Sequence, residues 1–306
     1  MNYYSLSKYL QETYHTKLYK IALNAHMSCP NRDGSLDHRG CIFCSEGGSG
    51  DFAVPVEEDF IDRGTALFGK KPVGSLFIGY FQAYTNTYAP LDYLEKVYRR
   101  VLEHPQIAGI SIATRPDCIG EEVLLLLEKL RKEYPQKFLW IELGLQTIHE
   151  KTAAYIRRGY PLSVFDACVQ KLHQLELPVI VHLILGLPGE SREDILASVQ
   201  YLNRIKPFGV KLQLLHFLKG TDLGEEYLAG KVKELSKETY VALLVDCLEW
   251  LRPDIVVHRL TGDGPKDLLL APTWSLDKKG VLGAIQKEMK ERNSYQGKLW
   301  EKEIYD

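Results

Sequence analysis

Short runs rich in Ile, Val, Leu, Phe and Tyr recur at 17–25, 75–82, 109–114, 138–145, 179–185 and 210–215, none longer than nine residues. Runs of that length and composition read as buried strands. Between them, stretches at 57–68, 91–103, 121–134, 148–157, 162–175 and 192–205 place apolar residues three and four apart, the period of an amphipathic helix. Ser191 stands where an N-cap belongs, with Asp194 three residues on, and Pro90 and Pro161 suit a first helical turn. The alternation predicts six β-α units around a parallel sheet. A further helix at 237–251 must stop at Arg252-Pro253, because proline excludes the preceding residue from helical geometry. A strand at 255–260 and a helix at 281–292 follow. The pattern divides the chain into an N-terminal extension (1–16), a β-α core (17–215) and a C-terminal extension (216–306).

Composition changes this picture little. With 45% hydrophobic and 25% charged residues over 306 positions, the chain is neither disordered nor a disulfide miniprotein. Thirty-eight Lys and Arg against forty Asp and Glu give a net charge of −2, which excludes indiscriminate binding to a phosphate backbone. A selective RNA contact needs a local patch. The stretch 278–302 offers one: Lys278, Lys279, Lys287, Lys290, Arg292, Lys298 and Lys302 exceed Glu288, Glu291 and Glu301 by four, with Tyr295 and Trp300 available for stacking. Residues 1–14 interleave Lys8 and Glu12 with tyrosines, and the apolar runs are far too short to span a bilayer, so a soluble cytoplasmic protein without a membrane partner is expected.

The cysteines carry the first chemical signal. Cys29, Cys41 and Cys44 crowd into sixteen residues directly after the first strand, whereas Cys118, Cys168 and Cys247 are scattered. Three thiolates on an irregular loop can converge on a metal centre, and soft ligands select zinc or an iron–sulfur cluster. Zinc would close its shell with a fourth ligand, for which His26 and His38 are at hand. A cluster held by three cysteines leaves one iron open.

Motifs at later strand ends narrow the choice. Ile112-Ala113-Thr114-Arg115-Pro116-Asp117, Glu142-Leu143-Gly144-Leu145-Gln146 and Leu185-Gly186-Leu187-Pro188-Gly189-Glu190 follow the cysteine loop in order. With that loop they resemble the radical S-adenosylmethionine superfamily, in particular its elongator-subunit type. The stretches Cys41 to Ala53, Tyr80 to Tyr88, His258 to Gly264 and Ala271 to Ser275 resemble the bacterial YtqA-type radical enzymes. The resemblance implies an α/β fold, a partial (β/α)6 barrel of TIM type with a C-terminal α/β extension. It also implies a 4Fe-4S cluster on Cys29, Cys41 and Cys44 whose open iron chelates S-adenosylmethionine, and cleavage of that cofactor to a 5′-deoxyadenosyl radical. A flavodoxin- or ferredoxin-type protein would donate the electron. The implied substrate is the wobble uridine of transfer RNA, its 5-carboxymethylaminomethyl side chain being converted to the aminomethyl form for a partner methylase.

Site residues carry over position by position. Gln82 ends the second strand where relatives meet the methionine amino group; Gln146 matches a residue that hydrogen-bonds the cofactor; Arg158 matches an arginine that pairs with its carboxylate through a planar fork. His182 stands where some relatives place Asp, with a hydrogen-bonded core histidine as the other reading. Ala113 replaces the Glu of the elongator pattern, so a carboxylate contact to ribose does not transfer. Gly186 to Glu190 reads as a tight turn passing the adenine, and Gly47-Gly48-Ser49-Gly50 as a mobile lid. His258, Arg259 and Asp263 end the late strand in a polar loop and are expected to face the substrate, a plain surface turn being the alternative. Cys118 reads as a bystander thiol. Two rival functions remain open: a radical enzyme acting on a small molecule or peptide, and a zinc-stabilised RNA-binding or adaptor protein without catalysis.

Overall fold

The structure, a computed structural model, describes residues 2–69, 74–262 and 264–301; Asp263 and Lys302 lie outside the described residues. In chain order it contains α1 (Leu6–Tyr14), β1 (Tyr19–Asn24), β2 (Val54–Pro55), α2 (Phe60–Ala66), β3 (Phe77–Phe81), α3 (Leu91–Leu102), β4 (Ile107–Thr114), α4 (Glu121–Glu133) and β5 (Phe138–Gln146). Then come α5 (Glu150–Tyr155), α6 (Leu162–Gln174), β6 (Val179–Leu185), α7 (Arg192–Ile205), β7 (Gly209–Leu214), β8 (Phe217–Leu218), α8 (Asp222–Leu228), α9 (Lys237–Trp250), β9 (Val256–Arg259), β10 (Leu269–Ala271) and α10 (Lys278–Glu291). All six strands expected from the apolar runs form. Ser191 caps α7 in a full capping box with Asp194. The helix expected at 148–157 shrinks to α5, because Arg157 (φ 54°) and Gly159 (φ 85°) take left-handed backbone and turn the chain back.

The main sheet is parallel throughout, in the order β2-β1-β3-β4-β5-β6-β7-β9. The late strand β9 therefore extends the same sheet beside β7. Side chains show how far the sheet curls. Lys20 on β1 and Glu142 on β5 are three strand spacings apart, about 14 Å if flat, yet Lys20 Nζ lies 2.7 Å from Glu142 Oε1. Lys211 on β7 and Tyr80 on β3 are four spacings apart, about 19 Å if flat, and still meet at 3.0 Å. These contacts cross the inside of a partial barrel.

Strand alternation sorts the residues between two cores. On β5, Leu139, Ile141, Leu143 and Leu145 point outward into the layer shared with the helices. Trp140, Glu142, Gly144 and Gln146 occupy the alternate positions. Inside, three tiers follow. Leu18, Ile78, Trp140 and Ile180 form an apolar floor, closed from below by Leu10 of α1 and by Tyr9, whose ring packs 4.9 Å from Phe208. Above it lies a charged tier of Lys20, Tyr80, Ser111, Glu142, His182 and Lys211. The upper tier, with Gln82, Ala113, Gly144 and Gln213, opens at the C-terminal strand ends. N-terminal residues tie across to the late segments: Val257 donates to the Tyr4 carbonyl (2.8 Å), and Asn2 Nδ2 donates to the Ser294 carbonyl (2.9 Å).

Candidate active site

The cysteine loop leaves β1 and is held by its own polar groups. Arg32 Nη2 donates to the carbonyls of Cys44 (2.6 Å) and Ser45 (2.7 Å), and Asn31 Nδ2 reaches Cys41 Sγ (3.4 Å) and the Arg157 carbonyl (2.8 Å). Ile42 turns into a separate apolar cluster with Ile156, Leu187, Phe217 and Leu223, while the Leu223 N–H donates to the Ile42 carbonyl at 2.9 Å. The segment after β7 thus clamps the loop that carries the thiols.

Cys29, Cys41 and Cys44 line one cavity at the strand ends, and all six cysteines are free. Burial pushes the Cys41 thiol up to about 12, the Cys44 thiol adding to the rise, and burial likewise raises Cys44. Such thiols ionise readily only against a cation, so metal loading releases their protons. Among the described residues no three His, Cys, Asp or Glu side chains are gathered tightly enough for a single metal ion. His26 and His38, the fourth ligands a zinc site would use, are exposed and stand outside the cavity lining.

Gln146 closes β5 at φ 60°, a left-handed turn, and its Oε1 is buried without a hydrogen-bond partner at the cavity wall. An orphan acceptor of that kind carries a desolvation cost that a bound donor relieves. Gly144 below it leaves room for that amide: a Cβ there would come within 2.5 Å of the Gln146 amide nitrogen and push the side chain from its place. Three soft thiols and an unsatisfied amide around one cavity fit an iron–sulfur cluster and a polar cofactor chelated to it.

Other expected residues have different work. Gln82 lines the cavity but donates from Nε2 to the Ser49 carbonyl at 2.5 Å. Together with the bond from the Tyr84 N–H to the Gly48 carbonyl (2.9 Å) and from the Tyr84 hydroxyl to the Glu46 carbonyl, this pins the glycine loop onto the end of β3. The lid reading is corrected accordingly: Gly48 sits against the Tyr84 ring, leaving no room for a Cβ.

Arg158 is 2% exposed and spends its fork on the protein. Nε donates to the Tyr160 carbonyl (2.9 Å), Nη1 to those of Leu145 (3.1 Å) and Thr147 (2.7 Å), and Nη2 meets Glu150 Oε2 at 3.4 Å. Four of its five N–H groups are thus committed to bracing the β5 turn. Arg115 chelates Asp117 through two bonds (3.0 and 2.7 Å) and donates to the Arg158 carbonyl. Arg157 pairs with Asp222 at 2.6 Å. The Gly186 and Gly189 turn, with φ of 89° and 85°, needs its glycines, but packs toward Leu235 and is not part of the cavity lining.

The late strand divides its expected residues. Arg259 lines the cavity. His258 does not: its ring packs edge-on against Trp140 (5.4 Å) and Phe208 (5.7 Å), both nitrogens buried without partners. The pairing of β7 with β9 shifts register here, Val210 facing Val257 and Lys211 facing Arg259, so His258 sits low against the floor while Arg259 reaches the cavity, and the expectation that His258 faces substrate is corrected. The basic stretch near the C-terminus is also partly neutralised, Arg292 pairing with Asp246 and Glu288, Lys287 with Glu291, and Lys298 with Glu249; Tyr295 is exposed.

The charged tier beneath the cavity escaped the sequence reading except for His182. Glu142 is fully buried and accepts from Lys20 Nζ (2.7 Å), Ser111 Oγ (2.5 Å), His182 Nε2 (2.7 Å) and Lys211 Nζ. Burial alone would raise its carboxyl, but Lys20 and Lys211 hold it well below the usual range. Burial, then Lys211, pushes His182 down to about 4, so the imidazole is neutral near pH 7. With Nε2–H given to the carboxylate, Nδ1 is left as an acceptor.

Residues 38–202 match the Radical SAM superfamily, and residues 207–291 match the Radical_SAM C-terminal domain. This chain belongs to the radical SAM superfamily. Within it, the chain is 42% identical over 304 residues to the uncharacterized protein YtqA of Bacillus subtilis (strain 168), covering 98% of this chain and 93% of that one. A tRNA uridine(34) acetyltransferase of Methanocaldococcus jannaschii is 28% identical over 145 residues, 46% of this chain and 26% of its own length. Among solved structures, the archaeal Methanocaldococcus infernus Elp3 with an N-terminal deletion superposes with a TM-score of 0.66 at 16% identity, covering 91% of this chain and 64% of that chain. The partial barrel is accordingly a radical SAM barrel, and the enzyme's cofactors are a 4Fe-4S cluster and S-adenosylmethionine.

Proposed function

We propose that this radical SAM enzyme acts on the C5 side chain of the transfer RNA wobble uridine, converting carboxymethylaminomethyl to aminomethyl. Cys29, Cys41 and Cys44 hold the cluster in this reading. When bound, the cluster and its S-adenosylmethionine supply a one-electron cleavage that generates a carbon radical able to take a hydrogen atom. The chain's own residues do the rest. Gln146 offers its unsatisfied carbonyl to the cofactor, Gln82 fixes the loop that walls the cavity, and Arg158 holds the β5 turn that presents Gln146. The apolar floor excludes water from below, which protects a reactive intermediate.

The observation that carries the proposal is the cavity itself: three thiols and an orphan amide at the mouth of a barrel whose interior continues downward into a charged tier. A polar interior suits a charged side chain reaching in from a larger molecule, and the relative named for uridine 34 of transfer RNA points to the same nucleotide. A partner methylase would consume the aminomethyl product, and a flavodoxin- or ferredoxin-type protein would supply the electron. The test is nucleoside mass spectrometry of transfer RNA from a strain lacking the gene. Accumulated carboxymethylaminomethyluridine supports the proposal; an unchanged wobble-uridine profile overturns it.

A further inference from the structure

We propose that the charged tier is a receptor for a carboxylate at the end of the substrate's side chain, with Lys211 and Lys20 as its cationic partners; this rests on the reading that the substrate is a carboxymethylaminomethyl uridine. The tier sets two lysine amines against one carboxylate. Both oxygens of Glu142 are fully engaged, Oε1 by Lys20 and Ser111, Oε2 by His182 and Lys211. The two lysines therefore share one anion, and burial, with Lys20 and Arg259 nearby, pushes the Lys211 ammonium well below its ordinary value, a penalty that a second anion would relieve. An ammonium in a barrel interior is costly unless matched, and Lys211 is only 2% exposed.

The position of these amines is also informative. Lys211 gives one proton to Glu142 and one to the Tyr80 hydroxyl at 3.0 Å, leaving a third donor. Tyr80, Glu142 and His182 line the cavity, so the tier is its lower wall; Lys20 and Lys211 are held on Glu142 just beyond that lining, and Arg259 lines it as well. Glu142 lies two residues below Gly144 on β5, a descent of about 7 Å. The chain from uracil C5 through methylene, nitrogen and methylene to a carboxylate oxygen spans roughly 6 Å at ordinary bond lengths. A uridine held at the strand ends thus places its carboxylate at the level of Lys211, while the neutral His182 presents Nδ1 as an acceptor for the side chain's amine. Losing the carboxymethyl unit removes the anion, so the product no longer matches the tier.

The experiment uses the cluster-loaded enzyme and two nucleosides, 5-carboxymethylaminomethyluridine and its carboxamide, with affinities measured by calorimetry. The acid is expected to bind about 10- to 100-fold more tightly than the carboxamide, the worth of a charge-assisted bond. Lys211→Met should abolish that preference and Lys211→Arg should restore part of it, with affinity for S-adenosylmethionine changed less than about twofold in both. Equal binding of acid and carboxamide by the unaltered enzyme, or no binding of either, overturns the receptor, and neither result depends on how a variant folds. Loss of S-adenosylmethionine affinity in Lys211→Met with the acid preference intact also overturns it, assigning the charge to the cofactor. A Lys211-dependent preference for the acid, with no conversion of transfer RNA, supports the receptor and overturns the reaction proposed above. Conversion of acid- and carboxamide-bearing transfer RNA with the same KM does the reverse.

Discussion

Glu142→Gln removes one charge from the barrel and keeps its shape. The amide can accept from Lys20 or Lys211 but cannot neutralise either, and two ammonium groups then face each other across a buried space. Breaking a buried pair by deleting one partner costs about 3–5 kcal/mol. With an unfolding entropy of about 2.1 cal/mol/K per residue over 306 residues, the expected fall in Tm is about 5–8 °C, read by calorimetry or far-ultraviolet circular dichroism. A double-mutant cycle isolates the cause: in a Lys211→Met background the same change should cost less, by about 1–3 kcal/mol. The pH dependence carries a sign. The folded carboxyl is held below its ordinary value of 4.5, so its stabilising contribution is complete above that pH and is lost as the pH falls through the folded value. The gap between the unaltered protein and Glu142→Gln should therefore be full at pH 7 and shrink under acid. A Tm within about 2 °C of the unaltered protein at pH 7, or no coupling to Lys211, would refute the reasoning.

Further outcomes follow from other contacts. Cys41→Ala, reconstituted without oxygen, should lose the iron–sulfur absorbance near 400 nm, an approximate band position for thiolate clusters; retention of full colour and iron content would remove Cys41 from the ligand set. Arg158→Lys leaves the carbonyls of Leu145, Thr147 and Tyr160 short of donors, with an expected loss of about 1–3 kcal/mol in urea unfolding; unchanged stability with weakened S-adenosylmethionine binding would show that its fork serves the cofactor. Leu10→Ala opens the apolar floor, where Leu10 is 2% exposed, and should cost about 2–4 kcal/mol; a negligible change would mean that α1 does not close the barrel.

The order of strands, the capped helices and the placing of three cysteines on one loop were legible in the sequence, because each depends on local period or spacing. The charged tier was not. Lys20, Glu142 and Lys211 each stand alone in an apolar strand, separated from one another by 122 and 69 residues, and only closure of the barrel makes them neighbours. A signal was available: each occupies the inward register of its strand, where an ionisable residue needs a partner from another strand. His258 was misjudged for a related reason, since a polar run at a strand end does not reveal the register shift that leaves His258 at the floor and lifts Arg259 to the cavity. The commitment of Arg158 to three carbonyls was likewise invisible, because the turn at Gln146 and Arg157 that presents them is set by tertiary packing.

The tie between the first and last described segments has a consequence in time. Asn2 meets Ser294 across 292 positions, and the Tyr4 N–H meets Gln296 over the same separation, so neither bond can form until the chain has been made through residues 294 and 296. Val257, which receives the strand-like residue Ser5, is made only slightly earlier. Until Ile180 and Phe208 have been made the helix that closes the floor has no floor to close, and the thiols of residues 29–44 wait on a loop whose clamp at Leu223 emerges about 180 residues later. At about 5–20 residues per second, that wait is at least several seconds, a window in which the nascent thiols are open to iron delivery and to oxygen alike.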